Sequence, residues 1–149
     1  MKRKLTFLLV LLLLLVNVAF AEDTLTEHDT LIGAELCNYK LLTITVENAE
    51  IKKSTWTGNL ELILTIILNN ENNFGYEGNC HFAAINGWEV HPICSFSVMD
   101  DLKKREEIVL ELNDTDVTEL DDIESLRISF LLNYSGIYVV THDVKLNLK

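Results

Sequence analysis

Basic residues are scarce in this chain. Twelve Lys and Arg stand against 23 Asp and Glu, and three of the twelve (Lys2, Arg3 and Lys4) sit at the extreme N-terminus. Binding to phosphate backbones or anionic headgroups rests on clustered Lys and Arg, so nucleic acid is excluded as a partner. Cysteine is nearly as rare. Cys37, Cys80 and Cys94 lack the paired C-x-x-C spacing of zinc sites and thiol redox enzymes, which leaves them structural or inert. No serine stands in a Gly-x-Ser-x-Gly elbow, and no other constellation names a reaction. No apolar run crosses a bilayer either: Leu5 to Ala21 is 17 residues broken by Asn17, where about 20 are needed.

What that apolar run does fit is a secretory leader. Lys2-Arg3-Lys4 is a positive start, eleven of the twelve residues from Leu5 to Val16 are apolar, and Ala19-Phe20-Ala21 is a small-x-small cleavage site. The sequence therefore predicts a signal peptide over 1–21, a cut after Ala21, and a secreted or extracytoplasmic mature protein. Losing the leader removes three positive charges and no acid. Nine basic and 23 acidic residues remain, a formal net charge of −14. A surface that acidic keeps an exported protein soluble and admits cations or basic proteins as partners. The 128 mature residues make one domain with a core of its own.

Past the cut, residues 22–38 are polar, acidic and aperiodic and read as a flexible lead-in to a domain over 39–149. That domain is written in period-2 patterns. Leu42, Ile44 and Val46 alternate with Thr43, Thr45 and Glu47; Leu60, Leu62, Leu64, Ile66 and Leu68 keep one side apolar for nine residues. The mixed opposite side, with Ile63 and Ile67, predicts a central strand covered in part on both faces. Asn86-Gly87, between Cys80–Ile85 and Trp88–Val90, predicts a type I′ hairpin, because both central positions need positive φ. Its plain register sets Ile85 against Trp88 and Cys80 against Ile93. Pro92 cannot donate a ladder hydrogen bond and implies an edge or a bulge. One inserted residue there would bring Cys80 opposite Cys94, making this pair the disulfide candidate; the closed loop would be worth about 3 kcal/mol.

Further strands are expected around Phe96 and Val98, from Ile108 to Leu112, from Leu126 to Tyr134, and from Tyr138 to Leu148, with His142 on the apolar face of the last. Asp114 to Glu124 has the only helical character, a short turn capped by Asp114 or Asp116. Seven or eight short strands, with at most one helical turn near 114–124 and no amphipathic helix to cover a sheet, predict an all-β antiparallel sandwich.

The stretches Leu60-Glu61-Leu62 through Asn69-Asn70-Glu71, Ala84 through Phe96, and Ile123 through Phe130 resemble a set of exported immunoglobulin-like β-sandwich domains of unknown function, common in Firmicutes. The resemblance covers roughly Tyr39 to Leu148 and implies fold and export. It brings no catalytic residues. Members are often lipid-anchored behind a cysteine at the cut; this chain has none there, so the mature form is expected without a membrane anchor.

Candidate sites are few. Asp114, Asp116 and Glu119, within the acidic run to Glu124, are weak calcium candidates, since Ca²⁺ takes six to eight oxygen ligands. As an EF-hand loop the run fails: Glu119 stands where glycine is needed and Ser125 where glutamate is needed. Trp56, Tyr76 and Trp88 are possible binding aromatics, an exposed platform if they converge. His81 and His91 fall on opposite faces of the hairpin and are not a metal pair. No cofactor is implied. The expectation is a non-enzymatic exported module that binds a protein or cell-envelope component through loops or a sheet edge. The alternatives are a secreted hydrolase with a carboxylate pair and a weakly Ca-binding envelope domain; converging acids in a polar pocket would favour the hydrolase.

Overall fold

A computed structural model describes residues 24–27, 30–99 and 102–148. The expected leader and its cut after Ala21 lie outside the described residues. The strands are β1 (Thr24–Glu27), β2 (Glu35–Tyr39), β3 (Leu42–Lys53), β4 (Leu60–Asn70), β5 (Tyr76–Ile85), β6 (Trp88–Glu89), β7 (Pro92–Ile93), β8 (Ser95–Val98), β9 (Leu102–Glu111), β10 (Ser125–Tyr134), β11 (Ile137–Val140) and β12 (Val144–Asn147). Two sheets cover each other, as two one-sided apolar sheets without helices must. The first runs β1-β12-β10-β5-β6, with β11 also on β10 and β8 also on β5; the second runs β2-β3-β4-β9-β7. Every pairing is antiparallel except β1 with β12. This is the all-β sandwich that the alternation predicts.

The alternation of β4 works as expected. Leu62, Leu64, Ile66 and Leu68 are fully buried between the sheets, and Ile63 and Ile67 are half-buried on the outer face between β3 and β9. Ile44, Leu110, Ile128, Phe130 and Leu132 complete the same core. Gly78 on β5 faces inward, and the Phe96 ring lies where its Cβ would be, 2.5 Å away. Only a glycine leaves room there for the aromatic ring.

Three bulges break the alternation, and each reverses which parity points inward. In β2 an extra residue, Leu36, lets both Leu36 and Cys37 bury. In β3 the slip between Val46 and Asn48 turns Glu47 outward to Arg105 and brings Ala49 in. In β5, Phe130 pairs with Cys80 while Ser129 pairs with Phe82, so His81 is bulged out and inward positions pass from even to odd.

Where it is described, the lead-in expected over 22–38 is instead part of the sandwich. β1 and β2 both lie in it, and Leu31, Ala34, Leu36 and Cys37 are buried. The single strand expected over residues 138–148 is two. Thr141 breaks it: its N–H and hydroxyl pair with the Phe130 carbonyl and N–H, at 2.8 and 2.9 Å. His142 thereby lies in the break and is exposed rather than packed. The helical stretch shrinks to one 3₁₀ turn, Leu120–Asp122, capped by Glu119 and not by Asp114 or Asp116.

Candidate functional site

One end of the sandwich gathers the turn Lys40-Leu41 between β2 and β3, the loop from Glu71 to Gly75, Met99, and the turn Ser135-Gly136 between β10 and β11. Lys40 and Leu41 have φ of 44° and 65°, left-handed values that cost L-residues about 1–2 kcal/mol each. Neighbours hold them there. The Lys40 carbonyl accepts from the Asn72 amide and from the Tyr76 hydroxyl at 3.3 Å, and the Leu41 carbonyl accepts from Glu71 N–H at 3.1 Å. Asn70, buried beneath them, donates to the Phe74 and Met99 carbonyls and accepts from Asn72 N–H.

The clamp is lined with aromatic rings. Tyr134 stacks on Phe74 with centroids 5.4 Å apart and tilts against Tyr76 and Tyr39. Lys40 Nζ lies 4.6 Å above the Tyr134 ring centroid and donates to a Tyr134 hydroxyl at 2.6 Å. That ammonium, with the Tyr39 hydroxyl second, holds the Tyr134 phenol below its ordinary range. The Tyr39 phenol is pushed up, chiefly by the hydrogen bond to Tyr134 and then by burial.

From this end runs β11, an open edge. Its two-residue turn closes on Tyr134–Ile137, which directs the backbone groups of Ile137 and Val139 to β10 and those of Tyr138 and Val140 away from the sheet. Among the described residues no strand pairs on that far side. Ile137, Tyr138 (69 % exposed) and Val140 are all exposed, and no residue of β11 is charged. A second partly open edge, β9 from Leu102 to Glu107, carries Lys103, Lys104, Arg105, Glu106 and Glu107, charges of the kind that discourage a second strand.

Two hollows flank β11. A cleft of about 300 Å³ separates it from the free edge of β2 and is lined by Cys37, Tyr39, Val139, Val140 and His142. On the outer face of the first sheet lies a polar groove of about 400 Å³, with Glu77, Asn79, Ser97, Asn133, Glu106 and Tyr138 in its walls. Asn133 Oδ1 is a shielded acceptor without a hydrogen-bond partner there. Glu106 is ion-paired to Lys104 at 2.6 Å.

The sequence candidates scatter. Tyr76 is 1 % exposed at the start of β5, whereas Trp88 follows the turn that ends that strand, and Trp56 stands on the β3–β4 loop, 96 % exposed. The three form no platform, because Tyr76 takes an inward position. Asp114, Asp116 and Glu119 are exposed, and the described residues hold no group of three or more His, Cys, Asp or Glu placed to share an ion. The acidic run has a different duty. Asp122 accepts from the backbone N–H groups of Thr118 and Glu119, and Asn86 ties the run to the hairpin through the Asp122 carbonyl and the Glu124 and Ser125 N–H groups. Cys37, Cys80 and Cys94 are free thiols.

Sequence reading missed Tyr39, Lys40, Asn70, Asn72 and Tyr134. The available signal was the amide-rich run Asn69 to Asn73 set directly against Phe74-Gly75-Tyr76, too polar for so short a turn unless its side chains hold backbone. No family model, no curated protein and no solved structure matches this chain.

Proposed function

We propose that the chain is an exported, immunoglobulin-like, non-catalytic module that binds a polypeptide of the cell envelope or extracellular space by adding its extended segment to β11. The observation that carries this is an uncharged, apolar, unpaired edge on a protein otherwise rich in acids. A free edge left without Lys, Glu or Pro is the feature that strand addition requires. With a formal net charge of −14 after loss of the leader, the favoured partner segment alternates apolar residues with Lys or Arg. The strained tip and its aromatic clamp fix the β10–β11 hairpin through Tyr134, so the edge is preorganised.

The test is a displayed peptide library panned against residues 22–149. Val140→Pro removes an outward N–H and spares the hydrogen bonds to β10, so it should melt as the parent does. Recovered peptides of the stated pattern that no longer bind Val140→Pro support the proposal. Peptides indifferent to Val140→Pro, or an empty selection, sink it.

A second reading, a hydrolase, has one observation in its favour: Glu77 and Glu106 line a single polar groove. Hydrolysis of chromogenic glycosides lost in both Glu77→Gln and Glu106→Gln would establish it; no turnover by the parent removes it.

A further inference from the structure

Two thiols, Cys80 and Cys94, stand one step past the end of the β5–β8 ladder. The ladder pairs Tyr76 with Val98, Glu77 with Ser97, Gly78 with Phe96 and Asn79 with Ser95, and one step further sets Cys80 against Cys94. The hairpin above it runs in another register, with Ala84 on Glu89 and Ile85 on Trp88, which would leave Cys80 facing Ile93. The arm from Trp88 to Val98 thus holds one residue more than a plain ladder needs. It is taken up where the chain leaves the first sheet, pairs as β7 with Leu110 and Val109 of the second, and returns at Cys94.

Tyr76, Gly78 and Cys80 share the inner face of β5, and Phe96 and Val98 that of β8. Cys94, two residues before Phe96, has the same parity and packs against the core. Residues directly opposed across an antiparallel pair have Cα atoms about 4.5–5.5 Å apart, inside the range that a disulfide spans.

We propose that Cys80 and Cys94 are a site of oxidative modification, joined as a cross-strand disulfide by exchange with a small-molecule or protein disulfide. Cys94, half-buried, is the thiol that a reagent reaches first; Cys80 is buried behind it. The Cys94 thiolate attacks the incoming disulfide and expels one thiol. The Cys80 thiolate then attacks the mixed disulfide at the Cys94 sulfur and expels the second. The chain loses two protons and two electrons, and the reagent leaves as two thiols. Burial pushes Cys80 up to about 12 and Cys94 up to about 11, the latter held back by the Cys80 backbone N–H. Exchange is accordingly slow at neutral pH and quickens about tenfold per pH unit as thiolate accumulates. Cys37 lies on β2 of the opposite sheet and is outside the pair.

The bond would pin the sheet-crossing segment to β5 and close a loop of about 15 residues, which raises the melting temperature by roughly 10 °C. The experiment incubates reduced residues 22–149 with oxidised glutathione at mildly alkaline pH, then measures intact mass, a non-reducing peptide map and melting with and without reductant. Expected are loss of two hydrogens, a Cys80–Cys94 cross-linked peptide, and a reductant-sensitive melt kept in Cys37→Ser and abolished in Cys94→Ala. Three thiols still open to alkylation after denaturation, a lasting glutathione adduct on Cys94, or a bridge to Cys37 would each overturn the proposal, whatever becomes of Cys94→Ala.

Discussion

Both ends of the sandwich are organised by asparagine side chains, and they do it by different means. At the acidic end Asn86 is itself the turn residue, with φ of 51° beside Gly87 at 85°, and its side chain also holds the end of the 114–124 run. Residue choice and turn type agree there. At the aromatic end the corresponding turn is Lys40-Leu41, two residues poorly suited to positive φ, and the work is done from outside by Asn70, Asn72 and Tyr76. The first end is specified locally. The second is specified only once the sheets have closed, and it is the end that leads into the open edge. Strain held in place by tertiary contacts is characteristic of sites that must present a fixed surface.

The largest break in this comparison is Asn70→Ala. It leaves the Phe74 and Met99 carbonyls and the Asn72 N–H without their partner, and part-buried backbone groups so stranded cost about 1 kcal/mol each, the low end of the range for buried ones. A loss of about 3 kcal/mol in urea unfolding is expected, against about 2 kcal/mol for Asn86→Ala, whose partners are closer to water. Equal losses would mean that the two ends are held alike.

Smaller changes sharpen the contrast by acting on backbone alone. At Gly87 an added Cβ meets nothing within 4 Å, so Gly87→Val is expected to cost about 1–2 kcal/mol through positive φ only. Leu41→Gly should run the other way, stabilising by about 1 kcal/mol as strain is relieved. A destabilising Leu41→Gly would show that the exposed leucine packs against something at this end.

How much could be read in advance follows the same division. Strands β3, β4 and β10, the end of β9 from Ile108, and the Asn86-Gly87 turn are legible because one face is buried along most of these stretches and the turn residues suit their φ; the charged start of β9, Leu102 to Glu107, lacks that buried face and was not legible as strand. What escaped depends on partners distant in sequence. Leu36 and Cys37 both bury only because β2 slips against β3, and the lead-in therefore looked aperiodic. His81 leaves the strand because of the register of β10, and the last strand breaks because Thr141 meets Phe130. The edge β11 was not legible as a site: an apolar run of four reads as core until topology leaves one side unpaired.

The gentlest probe reads the aromatic end without disturbing it. Lys40 donates to Tyr134, and this one contact lowers the phenol and raises the ammonium, so the two shifts describe a single interaction. The Tyr134 phenol, depressed in the fold, favours the folded state above its unfolded value of 10.0 and loses that benefit as pH falls through its folded value. Lys40, raised in the fold, acts below 10.5 and fades as pH rises through its own folded value. The coupling is therefore felt only in the alkaline window between the two. Lys40→Met should move the lowest-titrating tyrosine upward, seen by ultraviolet difference or ring-carbon NMR titration, while urea stability at neutral pH stays unchanged, as for an exposed pair. The Tyr39 hydroxyl remains as a second donor, so part of the depression persists. An unmoved tyrosine titration would detach Lys40 from the cluster and leave the hydrogen bonds to the Lys40 and Leu41 carbonyls as the anchors of the turn.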